Sequence, residues 1–276
     1  MIDHLDNQAG RLWLLLSDFV QGGDPGREKV WQRWQGILFP AQSVAIAKVY
    51  VALAELAEIP AELRLTLEAL DVPDAIRDEY SSTIDKVNRA LRAGPDELAV
   101  EVKKIASPAM LSDLKHFSFA LSQHAPEPVV AKEDLDKIRT SLQQLIEDLT
   151  RWSTTERLRR VLLDMCNQML DAVDLYRIKG TDGIEEELER IFGRGLISGR
   201  HLEAPSSRGR EFVQRLGKVA AQTAFVIGVF KGAAELPAQV DDGVKVVQSW
   251  FDDELPAIES GDVPDGDASA PEAGDG

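Results

Sequence analysis

Apolar residues recur along nearly the whole chain at intervals of three and four, the spacing of a helix with one buried face, and period-two alternation is almost absent. The pattern predicts a first helix over 2–20, with Leu5, Ala9, Leu12, Leu16 and Phe19 on one face and Gly22-Gly23 at its end. Asp24-Pro25 offers an N-cap followed by a first-turn proline, which opens a short helix with Val30, Trp34, Ile37 and Leu38 inward. Ile46, Val49, Tyr50, Leu53 and Leu56 mark a third helix, and Pro60 and Pro73 are each expected to start another. Gly94-Pro95 stops the latter, and Ser107-Pro108 opens a helix that reaches about His124.

The segment 125–131 holds two prolines in three residues and no helical period, which makes it the natural linker. Beyond it Leu135, Ile138, Leu142, Leu145, Leu149 and Trp152 alternate three and four apart, as a heptad seam does. Ser153-Thr-Thr-Glu156 has capping-box spacing, and a second seam follows through Leu158, Leu162, Met165, Met169, Ala172 and Tyr176. Two such helices joined by so few residues are expected to fold back as an antiparallel hairpin. Lys179-Gly180 ends the second, Thr181 caps a helix carrying Ile184, Leu188, Ile191 and Phe192, and 193–207 reads as irregular. A helix over 207–236 is stopped by Pro237, and Val244, Val247, Trp250 and Phe251 mark a last amphipathic turn or two. The expectation is an all-α, multi-helix bundle of about eleven helices. It divides into an N-terminal unit over 1–124, the linker 125–131, a C-terminal bundle over 132–255 and an acidic, disordered tail over 256–276.

The helix over 207–236 has the most unusual face. Twelve residues from Val219 to Phe230 carry no charge, and Ala220, Ala224, Gly228 and Gly232 recur every fourth position. Such a stripe lets another backbone approach closely, and Gly228-Val-Phe-Lys-Gly232 has the GxxxG form used between membrane helices. Twelve uncharged residues span only about 18 Å against roughly 30 Å of hydrocarbon. The expected role is therefore a buried helix of the bundle rather than a membrane span.

Composition changes this picture in two places. The formal charge is −16, but nine acids and no base lie in 251–276, so the rest of the chain is only mildly acidic. Against that background the stretch from Gly193 to Lys218 sets six bases against two acids, and Arg194, Arg200, Arg208 and Arg210 form a candidate loop for an anion or an acidic partner. No aromatic residues are interleaved for base stacking, so nucleic acid is not an expected partner. The single cysteine, Cys166, precludes an internal disulfide, and no basic n-region precedes the first apolar run, which points to a cytoplasmic protein.

Candidate chemistry is thin. Asp113 and His116 stand three apart on one helix, but no second half-site completes a metal site, which needs at least three protein ligands. Cys166 sits beside an apolar seam and reads as a buried structural residue. The run Glu185-Glu-Glu187 suits the first turn of a helix through the macrodipole. Phosphate-cradling, dinucleotide-binding and nucleophile-elbow motifs do not occur in the sequence. No catalytic residue, metal or cofactor is expected.

One local likeness remains. Glu156-Arg-Leu-Arg-Arg-Val-Leu-Leu, followed by Leu175-Tyr-Arg-Ile-Lys-Gly-Thr-Asp-Gly-Ile184 and a helix to Gly193, resembles the helix–turn–helix joint of phage tail and baseplate wedge proteins related to the phage P2 tail protein I family. The likeness covers roughly 151–193 and implies a non-enzymatic assembly role. From the residues themselves the expected function is that of a bacterial helical interaction protein, working through helix faces on a protein partner or on itself. A tail-like structural component and a membrane-active helical effector are the alternatives.

Overall fold

A computed structural model describes residues 6–24, 26–40, 44–124, 126–152, 156–199 and 207–228. These form ten helices and no strand, so the chain is all-α as its periodicity requires. They are α1 (Gln8–Gln21), α2 (Val30–Leu38), α3 (Ile46–Ala69), α4 (Asp74–Leu91), α5 (Ala99–Ile105), α6 (Pro108–His124), α7 (Lys132–Arg151), α8 (Glu156–Asp174), α9 (Tyr176–Gly199) and α10 (Ser207–Val226). The expected turn at 244–251 lies outside the described residues.

Local chemistry sets the ends of these helices. Asn7 caps α1, its side chain accepting from the Gly10 N–H at 2.9 Å. Ser107 does the same for α6, accepting from Met110 N–H at 3.3 Å. The entries to α2 and α5 are tied together: Val30 N–H donates to the Glu97 carbonyl and Ala99 N–H to the Glu28 carbonyl, both at 2.9 Å.

Several boundaries differ from the sequence expectation: α1 begins at Gln8 behind its Asn7 cap, and α2 begins at Val30 with Lys29 as its N-cap rather than at Asp24-Pro25. Pro60 does not begin a helix; it lies buried inside α3. An interior proline costs about 3 kcal/mol, which is offset here because Leu56, Ile59, Leu63 and Leu67 on both sides of it share one buried face. The seven residues of α5 escape periodicity because they complete only two turns. Helix α9 continues to Gly199, past the expected stop at Gly193, although Gly180 interrupts it with φ 67 and ψ −150.

Buried side chains gather into two cores. The first is built from α1 to α6, with Phe19 against Trp34 at 4.8 Å between ring centroids and Phe117 against Tyr80 at 4.6 Å. The second joins the seams of α7 and α8 to Ile184, Leu188 and Ile191 of α9 and to Phe212, Leu216, Ala220 and Ala224 of α10. The buried residues of α7 are Leu135, Ile138, Leu142, Leu145 and Leu149, each a position of the three-four repeat. Leu175 and Ile178 belong to the first core although they follow α8 in sequence. The chain between the cores is likewise held down, since Val130 is buried and its N–H donates to the Tyr176 hydroxyl at 2.8 Å.

Candidate functional site

The two cores meet in a joint built from buried charge. Arg11 in the first turns of α1 is 2% exposed, and its guanidinium donates to Glu127 and, at 3.5 Å, to the Ile178 carbonyl. Gly180 lies directly against it: a Cβ at that position would stand 2.6 Å from Arg11 Cζ. Glycine is required there twice over, by the close approach and by a φ/ψ pair that side chains avoid. Glu127 is also fixed through its backbone, whose N–H donates to the Asp6 carbonyl at 2.6 Å.

A second set of ions ties α3 and α7 to the end of α8. Lys48 of α3 sits 2.7 Å from Asp171 and 2.6 Å from Asp174 at the end of α8, and Arg139 of α7 donates to the other oxygen of Asp174 at 2.9 Å. Burial pulls the Lys48 pKa down, but the bonds and charges of the two aspartates outweigh it and raise the value above its ordinary one. Asp174 is 3% exposed and therefore depends on both cations. Arg177 completes the set, donating to the Ile37 carbonyl at 2.8 Å and to Asp18 at 2.6 Å. The Tyr176 hydroxyl is pushed up by burial and held back in part by the Val130 N–H.

Beside Arg11 the joint opens into a cavity of about 440 Å3 between α1, α3, α6 and α9. Its apolar lining includes Ile59, Leu63, Leu121 and Ile178, and Glu55, Glu62, Glu127, Asp182 and Glu186 supply five carboxylates against Arg11 and Lys179. Lys179 is itself engaged, 3.1 Å from Glu186 and 3.6 Å from Glu55. The cavity can therefore hold a cationic or amphipathic group more readily than an anion. No three His, Cys, Asp or Glu side chains among the described residues cluster as a metal site would.

No family model, curated protein or solved structure matches the chain.

The residues singled out by sequence fall away from this joint. Ala220 and Ala224 are 3% exposed and belong to the second core. The stripe does not continue as one helix, however. Helix α10 ends at Val226, and Gly228 is exposed with φ 82, a left-handed residue at the helix end beside Pro128. The expected continuation to Leu236 is thus interrupted at Gly228, and Gly232 lies outside the described residues. Arg194 lies in the last turns of α9 and Arg208 and Arg210 in the first turn of α10, so these three stand on helix ends rather than in a loop. Arg200 lies outside the described residues. Asp113 pairs with Lys86 at 3.8 Å, and His116 is exposed. Cys166 is fully buried, and that burial raises its thiol pKa to about 12. Among the described residues, no helix is long and apolar enough to cross a membrane.

The joint itself gave no sequence signal. Arg11 lies within a helix turn of Leu12 and Leu15 on a helix whose other charged residue, Asp18, is exposed. Its partner Glu127 is 116 positions away, and the Lys48–Asp174 pair spans 126. Only Gly180 was visible, as a helix terminator.

Proposed function

We propose that this protein is a non-enzymatic helical interaction or assembly protein of the bacterial cytoplasm, which binds a protein partner or a second copy of itself through helix faces. The observation that carries the reading is α3. It is buried along one face, yet Ile46, Val51 and Leu65 are 47%, 55% and 67% exposed, with Tyr50 between them at 38%. Apolar residues scattered singly are ordinary on a surface, whereas a run along one helix marks a surface that another molecule covers. In this reading the heptad-patterned antiparallel hairpin of α7 and α8 is the rigid frame, and the ion-paired joint fixes how α3 is presented. The test is chemical cross-linking in cells that make the protein, followed by mass spectrometry and by light scattering of the purified material. A cross-linked partner or a mass above the monomer is expected. A strict monomer at tens of micromolar with no cross-linked protein would sink the proposal.

A structural component resembling phage tail proteins is the second reading. It is supported by where the residues of the resemblance fall: Tyr176, Arg177, Lys179 and Gly180 all take part in the joint. A membrane-active effector that releases 208–236 is the third, and liposome leakage tests it. No dye release at micromolar protein would rule it out.

A further inference from the structure

We infer that α3, together with the acidic cavity beside it, docks a partner's basic amphipathic helix. The inference rests on the interaction reading above and specifies the chemistry of the partner. On a helix of 100° per residue, Ile46, Tyr50, Ala54, Ala57, Ala61 and Leu65 fall within an arc of about 100°, and all six are exposed. The arc runs about 29 Å along α3, long enough to seat five turns of a partner. Its large apolar groups stand toward the two ends and alanines fill the middle, so a second helix can lie close at the centre and be gripped at both ends. Leu65 is shared between this face and the lining of the 440 Å3 cavity, which makes them one continuous surface.

Charge decides among the occupants. Glu58 borders the exposed arc, Arg64 stands on it but is bridged to Asp85, and Glu55, Glu62, Glu127, Asp182 and Glu186 ring the cavity next to it. Of the two bases in the lining, Arg11 is 2% exposed and bonded to Glu127, and Lys179 is bridged to Glu55 and Glu186. The carboxylates therefore outnumber the cations that could neutralise them. The chain's own terminal stretch 251–276, with nine acids and no base, is repelled from such a surface. Two copies meeting through the same face would set Glu58 and Glu62 against their like. An apolar helix flanked by lysine or arginine satisfies both the apolar arc and the acidic rim.

The experiment uses the full chain and two synthetic probes of about eighteen residues, long enough to span the arc. One is a leucine–lysine amphipathic helix, and the other carries glutamate in place of every lysine. Binding is measured by fluorescence anisotropy for wild type, for the double variant E58K/E62K and for Leu65→Ser. All the altered side chains are exposed, and far-UV circular dichroism verifies that each variant keeps its helicity. The lysine probe should bind wild type, at least tenfold more weakly to each variant, and more weakly as salt is raised from low to molar concentration. The glutamate probe should not bind. Equal affinity for wild type and variants, equal binding of the glutamate probe, or no binding of the lysine probe at millimolar concentration would each overturn the assignment. So would a concentration-dependent rise in the mass of the protein alone that Leu65→Ser abolishes, because the face would then belong to a second copy. If cross-linking captures a cellular partner equally with wild type and Leu65→Ser, the interaction role stands and this face is excluded.

Discussion

Replacing Gly180 by alanine is expected to cost this protein about 3–5 kcal/mol of stability, although the change adds one methyl group. Two separate terms enter. The backbone at Gly180, φ 67 and ψ −150, lies in a region that only glycine occupies readily, and holding alanine there costs roughly 1–3 kcal/mol. The new Cβ would also stand 2.6 Å from Arg11 Cζ, about an ångström inside normal contact. Arg11 is 2% exposed and cannot swing into solvent, so its guanidinium must retreat from the Ile178 carbonyl or from Glu127. A hydrogen bond from a charged group is worth about 1.5–3 kcal/mol, and that loss is the second term. A double-mutant cycle with Arg11→Met separates them, because methionine removes the obstacle and leaves the backbone strain. In the methionine background Gly180→Ala should cost only the first term, with a coupling of roughly 2 kcal/mol between the sites. The assay is urea unfolding followed by circular dichroism, with the slope monitored for changes in exposed surface. Gly36 provides a control of opposite sign. It lies in α2 with nothing within 4 Å of its missing Cβ, so Gly36→Ala should stabilise by about 0.5–1 kcal/mol. A Gly180→Ala cost below about 0.5 kcal/mol would refute the conformational argument. An equal cost in both backgrounds would refute the contact with Arg11.

Burial holds the Cys166 pKa at about 12, so the thiol should be silent to a disulfide reagent at pH 8 in the native protein and react at once in urea; native-state reaction at the free-thiol rate would contradict its placement. Because the folded pKa is raised, its contribution to stability is complete below the unfolded value near 9.0 and declines as pH rises toward the folded one. Wild type should therefore lose about 1.4 kcal/mol per pH unit relative to Cys166→Ala above pH 9, and parallel stability curves would count against it. Ala220→Leu and Ala224→Leu force volume into the packed face of α10 and should each destabilise by about 1–3 kcal/mol; a neutral result in thermal melts would show that the face is not closely packed. Replacing Arg194, Arg200, Arg208 and Arg210 together by alanine should not weaken binding of the lysine-bearing helix to α3, and a loss of affinity in titrations would bring that stretch into the interaction.

Legibility followed the range of the interaction. The buried faces of α7 and α8 could be read residue by residue, because Leu135 to Leu149 and Leu158 to Met169 report their burial through a period confined to one helix. Pro60 misled because proline's effect on an exposed helix is local, whereas here the continuous burial of Leu56 to Leu67 outweighs it. Gly228 misled in another way. A glycine that admits a close neighbour and a glycine that turns left-handed at a helix end look the same in sequence, and only the φ of 82 beside Pro128 distinguishes them. Ile46 and Tyr50 fit a helical period with Val49 and Leu53, yet they face outward, because α3 is apolar on more than the face its neighbours cover.

That excess apolar surface and the joint are related through their geometry. Lys48 lies two residues from Ile46 and Tyr50, and Glu55 lies between Ala54 and Ala57 of the exposed arc, so the ions that fix α3 to α8 and α9 interleave with the face it presents. A rigid joint keeps the exposed arc from collapsing onto the second core, which would otherwise be the cheapest way to bury Ile46 and Leu65. Loosening the joint through Lys48→Met should then reduce the exposure of α3 as well as the stability of the fold. Hydrogen exchange reads both effects: the α3 amides should gain protection while those of α1 and α9 near Arg11 lose it. Uniform loss of protection in all three helices would mean that the charged joint stabilises the fold without orienting the face.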